Sequence, residues 1–341
     1  MISYYDTSTL PTQEMLDAIA AAPLGDDVYG EDPTVNELEA VAAGLMGKDS
    51  AVLMPSGTMA NLAAVLSWTR PADEVVVEAE AHLLYYEAGG ISGVAGCVPL
   101  GVPGERGVLR AEEVERHLRS PDLHYPVTRL LCVENTHNRA GGTVTPVAVM
   151  KELRELCDSR GLALHVDGAR IFNASVALDI PVADLVADAD SVSFALSKGL
   201  SAPVGALLAG SAEFVGRARR ARKMLGGGMR QAGIIAAAGL VALRTGIGRL
   251  REDHEQARRL AAKLAGLPGL RVSPEAVQSN FVMVDAEQWG IGAERLVAEL
   301  AARGIAAAAL PPHTVRFVTH RLVGAQEADT LAAALREIGR C

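Results

Sequence analysis

Seven short runs rich in branched apolar residues, AVLM, EVVVEA, GCVPLGV, RLLCVEN, ALHVDGA, DSVSFAL and GALLAG, recur between positions 51 and 210 with helical patterns between them. Runs of this kind, bounded by glycine, proline or charge, read as strands buried on both faces. Strands that alternate with helices build a mainly parallel sheet with helices over both sides, so the chain is expected to be α/β with a mainly parallel seven-stranded sheet. Ligands of such sheets bind beyond the carboxyl ends of the strands, which directs attention to the residues after each run. From about residue 230 the pattern changes. RQAGIIAAAGLVALRTGIGRLREDHEQARRLAAKLAGL reads as a long helical connector, and LRVSP, NFVMVDA, AERLVAELAARG, TVRFVTH and EADTLAAALREIG beyond it read as a compact α+β unit. The expected division is a large domain, 1–245, and a small C-terminal domain, 246–341, with the N-terminal segment 1–15 a candidate to pack against the small one.

Composition excludes several classes of function. Hydrophobic residues make up 49% of the chain, which favours a folded globule over a disordered one. No apolar run reaches the roughly 18 residues a membrane span needs. The start, MISYYDTSTLPTQEM, lacks the basic and apolar blocks of a secretory signal, and a cytoplasmic location is the expectation. A net charge of -9 argues against nucleic acid as a partner. Cys97, Cys132, Cys157 and Cys341 are scattered without a C-x-x-C pair, so they read as reduced thiols, at least two of them in strands, and no metal site is expected. RARRARK, Arg217 to Lys223, reads either as a solvated helix face or as an anion or subunit contact.

Lysine is scarce, five residues against 27 arginines, and the setting of one of the five stands out. Lys48 falls in a turn and Lys151, Lys223 and Lys263 fall in charged helical patterns, where solvation is expected. Lys198 follows DSVSFALS and precedes GLSAPVG, at the point where the chain leaves the sheet. Desolvation there would lower its pKa and free the amine as a nucleophile for a carbonyl. About thirty residues earlier, Asp167 ends the run HVD. A strand-end aspartate is a cap, a metal ligand, or the partner that keeps a cofactor ring nitrogen protonated. Strand-end aspartate followed by strand-end lysine at this spacing fits an enzyme of pyridoxal phosphate (PLP). PSGTMAN supplies a matching cradle: Ser56, Gly57 and Thr58 turn into a helix whose free N–H groups and dipole suit a phosphate, although S-G-T is also an ordinary helix cap. No G-x-G-x-x-G and no Walker lysine is present, which counts against dinucleotides and ATP. His82, after DEVVVEAE, then has a use beyond packing: its imidazole can lie over a cofactor ring opposite Asp167 and Lys198.

GDDVYGEDPTVNELE, PSGTMAN, EAEAHLLYYEAGG, ENTHNRAGGTV, HVDGARIFNA, SKGLSAPVGALL, KMLGGGMRQAG and VRFVTH, in this order, resemble the L-threonine aldolases, PLP enzymes of fold type I, which is the aspartate-aminotransferase-like fold. The resemblance implies that Lys198 bonds the cofactor, that Asp167 holds its ring nitrogen, that His82 stacks on the ring, and that Gly57 and Thr58 bind the phosphate. It also implies that Arg170 and Arg316 clamp the substrate carboxylate, a task suited to a planar bidentate fork. His137 of ENTHN is then placed near the substrate hydroxyl as the candidate base. Tyr29 and Arg230 would reach in from a neighbouring subunit, Arg230 toward the phosphate, in a homo-oligomer, expected to be a tetramer. Tyr85 and Tyr86 would shape the side-chain pocket, or belong to the core.

One departure stands against this pattern. The family opens with an Arg-Ser-Asp-Thr stretch, and this chain reads Tyr4, Tyr5, Asp6, Thr7, which puts a phenol where the family serine meets the carboxylate. The leading expectation is retro-aldol cleavage of L-threonine or L-allo-threonine to glycine and an aldehyde. The alternative keeps fold and cofactor and changes the reaction to aldol or transaldol synthesis, racemisation or another lyase activity. A non-catalytic binding protein on the same fold is the third reading, opposed by the presence of Lys198, Asp167, Arg170 and Arg316.

Overall fold

The computed structural model describes residues 1–339, so Cys341 lies outside it. A two-residue strand, β1 (Ile2–Ser3), opens the chain. The seven runs form β2 (Ser50–Met54), β3 (Glu74–Glu78), β4 (Val98–Val102), β5 (Thr128–Glu134), β6 (Ala163–Asp167), β7 (Ser191–Ala195) and β8 (Ala206–Gly210). They build one sheet in the order β2-β8-β7-β6-β5-β3-β4. Only β8 runs against its neighbours, antiparallel to both β2 and β7, and the other pairs are parallel. The mainly parallel seven-stranded α/β sheet expected from the sequence is thus the one observed.

Period-two geometry explains why these runs are apolar throughout. Along β2, Ala51 and Leu53 enter one core while Val52 and Met54 enter another on the opposite face. Helices Pro33–Met46, Val147–Arg160 and Gly233–Val241 cover the first face, and helices Gly57–Trp68 and Ala212–Met224 the second. The connector is not one continuous helix. Helix Gly233–Val241, a π turn over Ala242–Gly246 and helix Leu250–Ala265 bend through 67° in the glycine-containing stretch TGIG. No single helix among the described residues is long and apolar enough to cross a membrane.

Beyond the bend, β9 (Phe281–Asp285), β11 (Ala308–Leu310) and β12 (Thr314–Val318) form a three-stranded antiparallel sheet in the order β11-β12-β9, and β10 (Ile305–Ala306) pairs in parallel with β1. Helices Leu250–Ala265, Ala293–Ala302 and Ala325–Ile338 pack around them on a separate core. Tyr4 belongs to that core, its ring edge-on to Phe317 at 5.2 Å.

Several local expectations are corrected. Of the described cysteines, only Cys132 stands in a strand; Cys97 precedes β4 and Cys157 lies in a helix, all three free and buried. Lys48 is half-buried and not solvated, because its ammonium donates to the carbonyls of Val186 (2.9 Å) and Ala189 (2.6 Å). In RARRARK, Arg222 is buried on Asp27 (2.9 Å) and the Leu53 carbonyl, and Arg219 pairs with Glu39, so part of this stretch serves the fold.

Candidate active site

The carboxyl ends of β3, β5, β6 and β7 open on two adjoining cavities. The inner one, about 140 Å3, is bordered by Gly57, Thr58, Asn61, His82, Glu87, Asp167 and Lys198, among others. The outer one, about 380 Å3, is bordered by Thr7, Tyr86, Asn138, Arg170, Arg316 and the β11 residues Ala308, Ala309 and Leu310. His82 and Lys198 border both.

Asp167 ends β6 and is 2% exposed, with Oδ2 accepting from Asn61 Nδ2 (3.0 Å) and Oδ1 from the Ala169 N–H (3.1 Å). The Asn61 amide is oriented from behind: its oxygen accepts from Ser193 Oγ at 2.7 Å, which turns the NH2 toward Asp167 and Glu87. Glu87 in turn holds His82 Nδ1 at 2.8 Å. Burial disfavours protonated His82, but the Glu87 bond and the charges of Asp167, Glu87 and Glu134 outweigh it and raise its pKa above 6.5. Lys198 moves the other way. Burial, and then the Arg170 charge, lower its amine from 10.5 to about 8 against the pull of Asp6, Asp167 and Glu134.

Three observations decide whether these residues fit PLP. A buried carboxylate is oriented at the sheet end, a lysine beside it carries a depressed pKa, and Gly57 and Thr58 open a 12-residue helix whose first N–H groups have no intrahelical acceptor. All three match the needs of a pyridinium, an aldehyde and a phosphate, so the group fits. Ser56 caps this helix, its hydroxyl oxygen accepting from the Met59 N–H at 3.2 Å, which leaves the hydroxyl proton free to be donated to an anion at the same turn.

Arg170 and Arg316 both border the outer cavity. Arg170 is locked by Asp6, Nε to Oδ2 and Nη2 to Oδ1, both at 2.6 Å, and lies over the Phe281 ring. This pair holds the Asp6 carboxyl down at about 2 although burial opposes it. Arg316 gives Nη1 to Asn138 Oδ1 at 2.7 Å, and its Nε is buried without a partner. Tyr86 borders the cavity, with its hydroxyl bound by Arg139 at 2.8 Å, whereas Tyr85 stands 53% exposed under the same guanidinium.

Two sequence-derived placements are overturned. His137 does not border either cavity: it is 1% exposed, its Nε2 is on Glu78 (2.9 Å), and its Nδ1 accepts from the Ala140 N–H (3.2 Å). The turn Glu105–Val108 closes over it so tightly that a Cβ on Gly107, at φ +79°, would lie 2.4 Å from the His137 ring. Tyr5 does not reach the cavity lining either. Pairing of β1 with β10 sends Tyr4 into the small core and the Tyr5 hydroxyl to the Ala307 carbonyl, while the next residue, Asp6, turns inward to Arg170.

Tyr29 and Arg230 stack on each other at 5.8 Å on the surface, with Arg230 also on Asp26, and neither borders the cavities of its own chain. Sequence reasoning assigned no role to Asp6, Asn61, Glu87, Glu134 or Asn138. All five stand inside or beside the motifs, but a polar residue in a motif carries no sign of which distant group it will meet.

The beta-eliminating lyase family model matches residues 4–287. The low-specificity L-threonine aldolase of Escherichia coli K12 is 43% identical over 332 residues, covering 97% of each chain. Low-specificity L-threonine aldolase 1 of Arabidopsis thaliana is 42% identical, covering 93% of this chain and 90% of that one. The structure of Leishmania major threonine aldolase superposes with a TM-score of 0.85 at 22% identity, over 99% of this chain and 100% of that one, and shows the shared fold. Sheet order, cavity chemistry and these likenesses agree, and the chain belongs to the beta-eliminating lyase family and, within it, to the threonine aldolases: it is a PLP-dependent lyase of fold type I.

Proposed function

We propose that the enzyme cleaves L-threonine or L-allo-threonine between Cα and Cβ, giving glycine and acetaldehyde. The observation that carries this reading is the convergence of Arg170, Arg316, Lys198 and His82 on one cleft, and the names of the relatives from E. coli and Arabidopsis support it. Lys198 is the nucleophile for the cofactor aldehyde, Asp167 the partner of its ring nitrogen, His82 the flanking ring, and Gly57 and Thr58 the phosphate donors. Bound there, PLP supplies an electron sink for the pair left when a bond to Cα breaks.

The remaining work falls to the chain itself. Arg170 keeps Nη1 for a substrate carboxylate, since Asp6 occupies its other two nitrogens, and Arg316 keeps Nη2 and Nε. Fixing the carboxylate decides which bond at Cα is presented for cleavage. Among the described residues, His82 is the one imidazole that borders either cavity. With its Nδ1–H on Glu87, Nε2 is left to take the β-hydroxyl proton, directly or through a water. Tyr86 and Leu310 bound the space for the departing aldehyde. The Tyr5 hydroxyl is held on the Ala307 carbonyl, next to the cavity residues that begin at Ala308.

We assign exposed Tyr29 and Arg230 to contacts between copies in a homotetramer with shared sites, and the free buried thiols suit a cytoplasmic setting. Acetaldehyde release from each diastereomer by purified holoenzyme, with Lys198→Ala as control, tests the reaction. A yellow enzyme that releases none, but racemises alanine or joins glycine to aldehydes, would replace it. Sedimentation of the parent and Arg230→Ala tests the assembly.

A further inference from the structure

Glu134, the last residue of β5, borders neither cavity, yet its two carboxylate oxygens reach both. Oε2 accepts from the His82 N–H at 2.7 Å. This bond caps the short helix His82–Tyr85, whose own N-cap residue, Ala81, has no side chain able to do so. Oε1 accepts from the Asn138 N–H at 2.8 Å, and Asn138 Oδ1 holds Arg316 at 2.7 Å. One carboxylate therefore ties the backbone of His82, which borders both cavities, to the backbone of Asn138, whose side chain holds Arg316 of β12 at the outer one.

The mount is rigid. Glu134 pairs in register with Asp167 on β6, and its side chain is 4% exposed. His137 Nε2 lies 3.8 Å from Oε2 and bridges to Glu78, which also accepts from the N–H groups of Glu80 (2.7 Å) and Gly104 (3.1 Å). A buried carboxylate whose two oxygens each accept a backbone N–H fixes both donors, because bonds to a charged acceptor shielded from water are strong.

We propose that Glu134 is a positioning residue that sets His82 and, through Asn138, Arg316 in their relative places, and so couples the cofactor seat to capture of the substrate carboxylate. The inference rests on the amino-acid reading of the cleft. Glu134→Gln tests it, since the amide keeps one acceptor oxygen and turns an NH2 donor toward the other backbone N–H. The measurements on holoenzyme are the glycine dissociation constant, from the change in cofactor absorbance, and the visible circular dichroism of the bound cofactor.

Glu134→Gln should bind glycine about tenfold more weakly, the scale of one lost charge-assisted bond, and should alter the dichroism band. Asn138→Ala should weaken glycine binding while leaving the band as in the parent, which keeps the coupling testable if Glu134→Gln folds poorly. The double variant should bind glycine no more weakly than the worse single one, because both changes act through one path. Parent-like glycine binding and dichroism in Glu134→Gln, or effects that multiply in the double variant, would overturn the inference. A parent whose absorbance ignores glycine refutes the amino-acid reading instead, and the dichroism of Glu134→Gln still decides the His82 arm.

Discussion

Replacing Lys198 with methionine in cofactor-stripped protein should make the fold more stable at neutral pH, and the gain should vanish in alkali. The lysine amine titrates near 10.5 in an unfolded chain and near 8 in this fold, held down first by burial and then by Arg170. Below pH 8 both states carry the proton, and folding bears the full cost of the buried charge. Between 8 and 10.5 the folded amine is neutral while the unfolded one is still charged, so the cost falls as pH rises; above 10.5 it is gone. At ~1.36 kcal/mol per tenfold, the full cost is about 3 kcal/mol, a ceiling because the side chain borders the cleft and keeps some contact with water. Methionine matches the length of the stem without the charge, and its packing difference is independent of pH. Urea unfolding of stripped parent and Lys198→Met in parallel should show a variant advantage that shrinks by about 2 kcal/mol from pH 7 to pH 10. An advantage constant over that range would refute the desolvated amine, and with it the physical basis of Lys198 as the nucleophile.

Asp6→Asn breaks a buried bidentate pair and should cost about 3 kcal/mol of stability while raising the glycine dissociation constant, read by urea unfolding and cofactor absorbance. With its folded pKa near 2, Asp6 contributes stability above pH 3.8 that is lost as pH falls toward 2; Asp6→Asn should lack that part of the acid transition, and an identical acid profile would count against the pairing. Glu87→Gln keeps an acceptor oxygen for His82 Nδ1–H but removes the charge that helps hold a proton on the ring, so the acid limb of kcat/KM should move to lower pH; a limb that stays in place would clear His82 of the base role. Gly107→Ala combines a strained positive φ with a Cβ 2.4 Å from the His137 ring, and should lower stability by about 2 kcal/mol in thermal unfolding, whereas a neutral result would mean that the turn over His137 yields easily.

The strands were legible because each is buried on both faces, so composition alone marks it: the seven runs are the seven strands. Lys198, Asp167, Gly57 and His82 were legible for a related reason. A parallel sheet delivers the ends of its strands to one edge, and residues just after apolar runs must meet there. What the sequence could not decide is which side chains face the cavity. Tyr5 was read as a substrate ligand and is instead turned away by the β1–β10 pairing, a contact between segments about 300 residues apart. His137 was read as a base and lies instead under the Glu105–Val108 turn, on Glu78, a carboxylate from a neighbouring strand. Its motif fixes the local backbone, while the lid and the counter-charge come from elsewhere in the chain. The same holds for Glu134, whose partners at His82 and Asn138 are joined only by the fold. Local pattern determined the strands and the chemistry gathered at their ends, because burial on both faces is written in short runs of residues, whereas the order of the strands is set by contacts between segments far apart in sequence. Tertiary structure alone decided the state of each ionisable group, because desolvation and charge act through space between residues far apart in sequence.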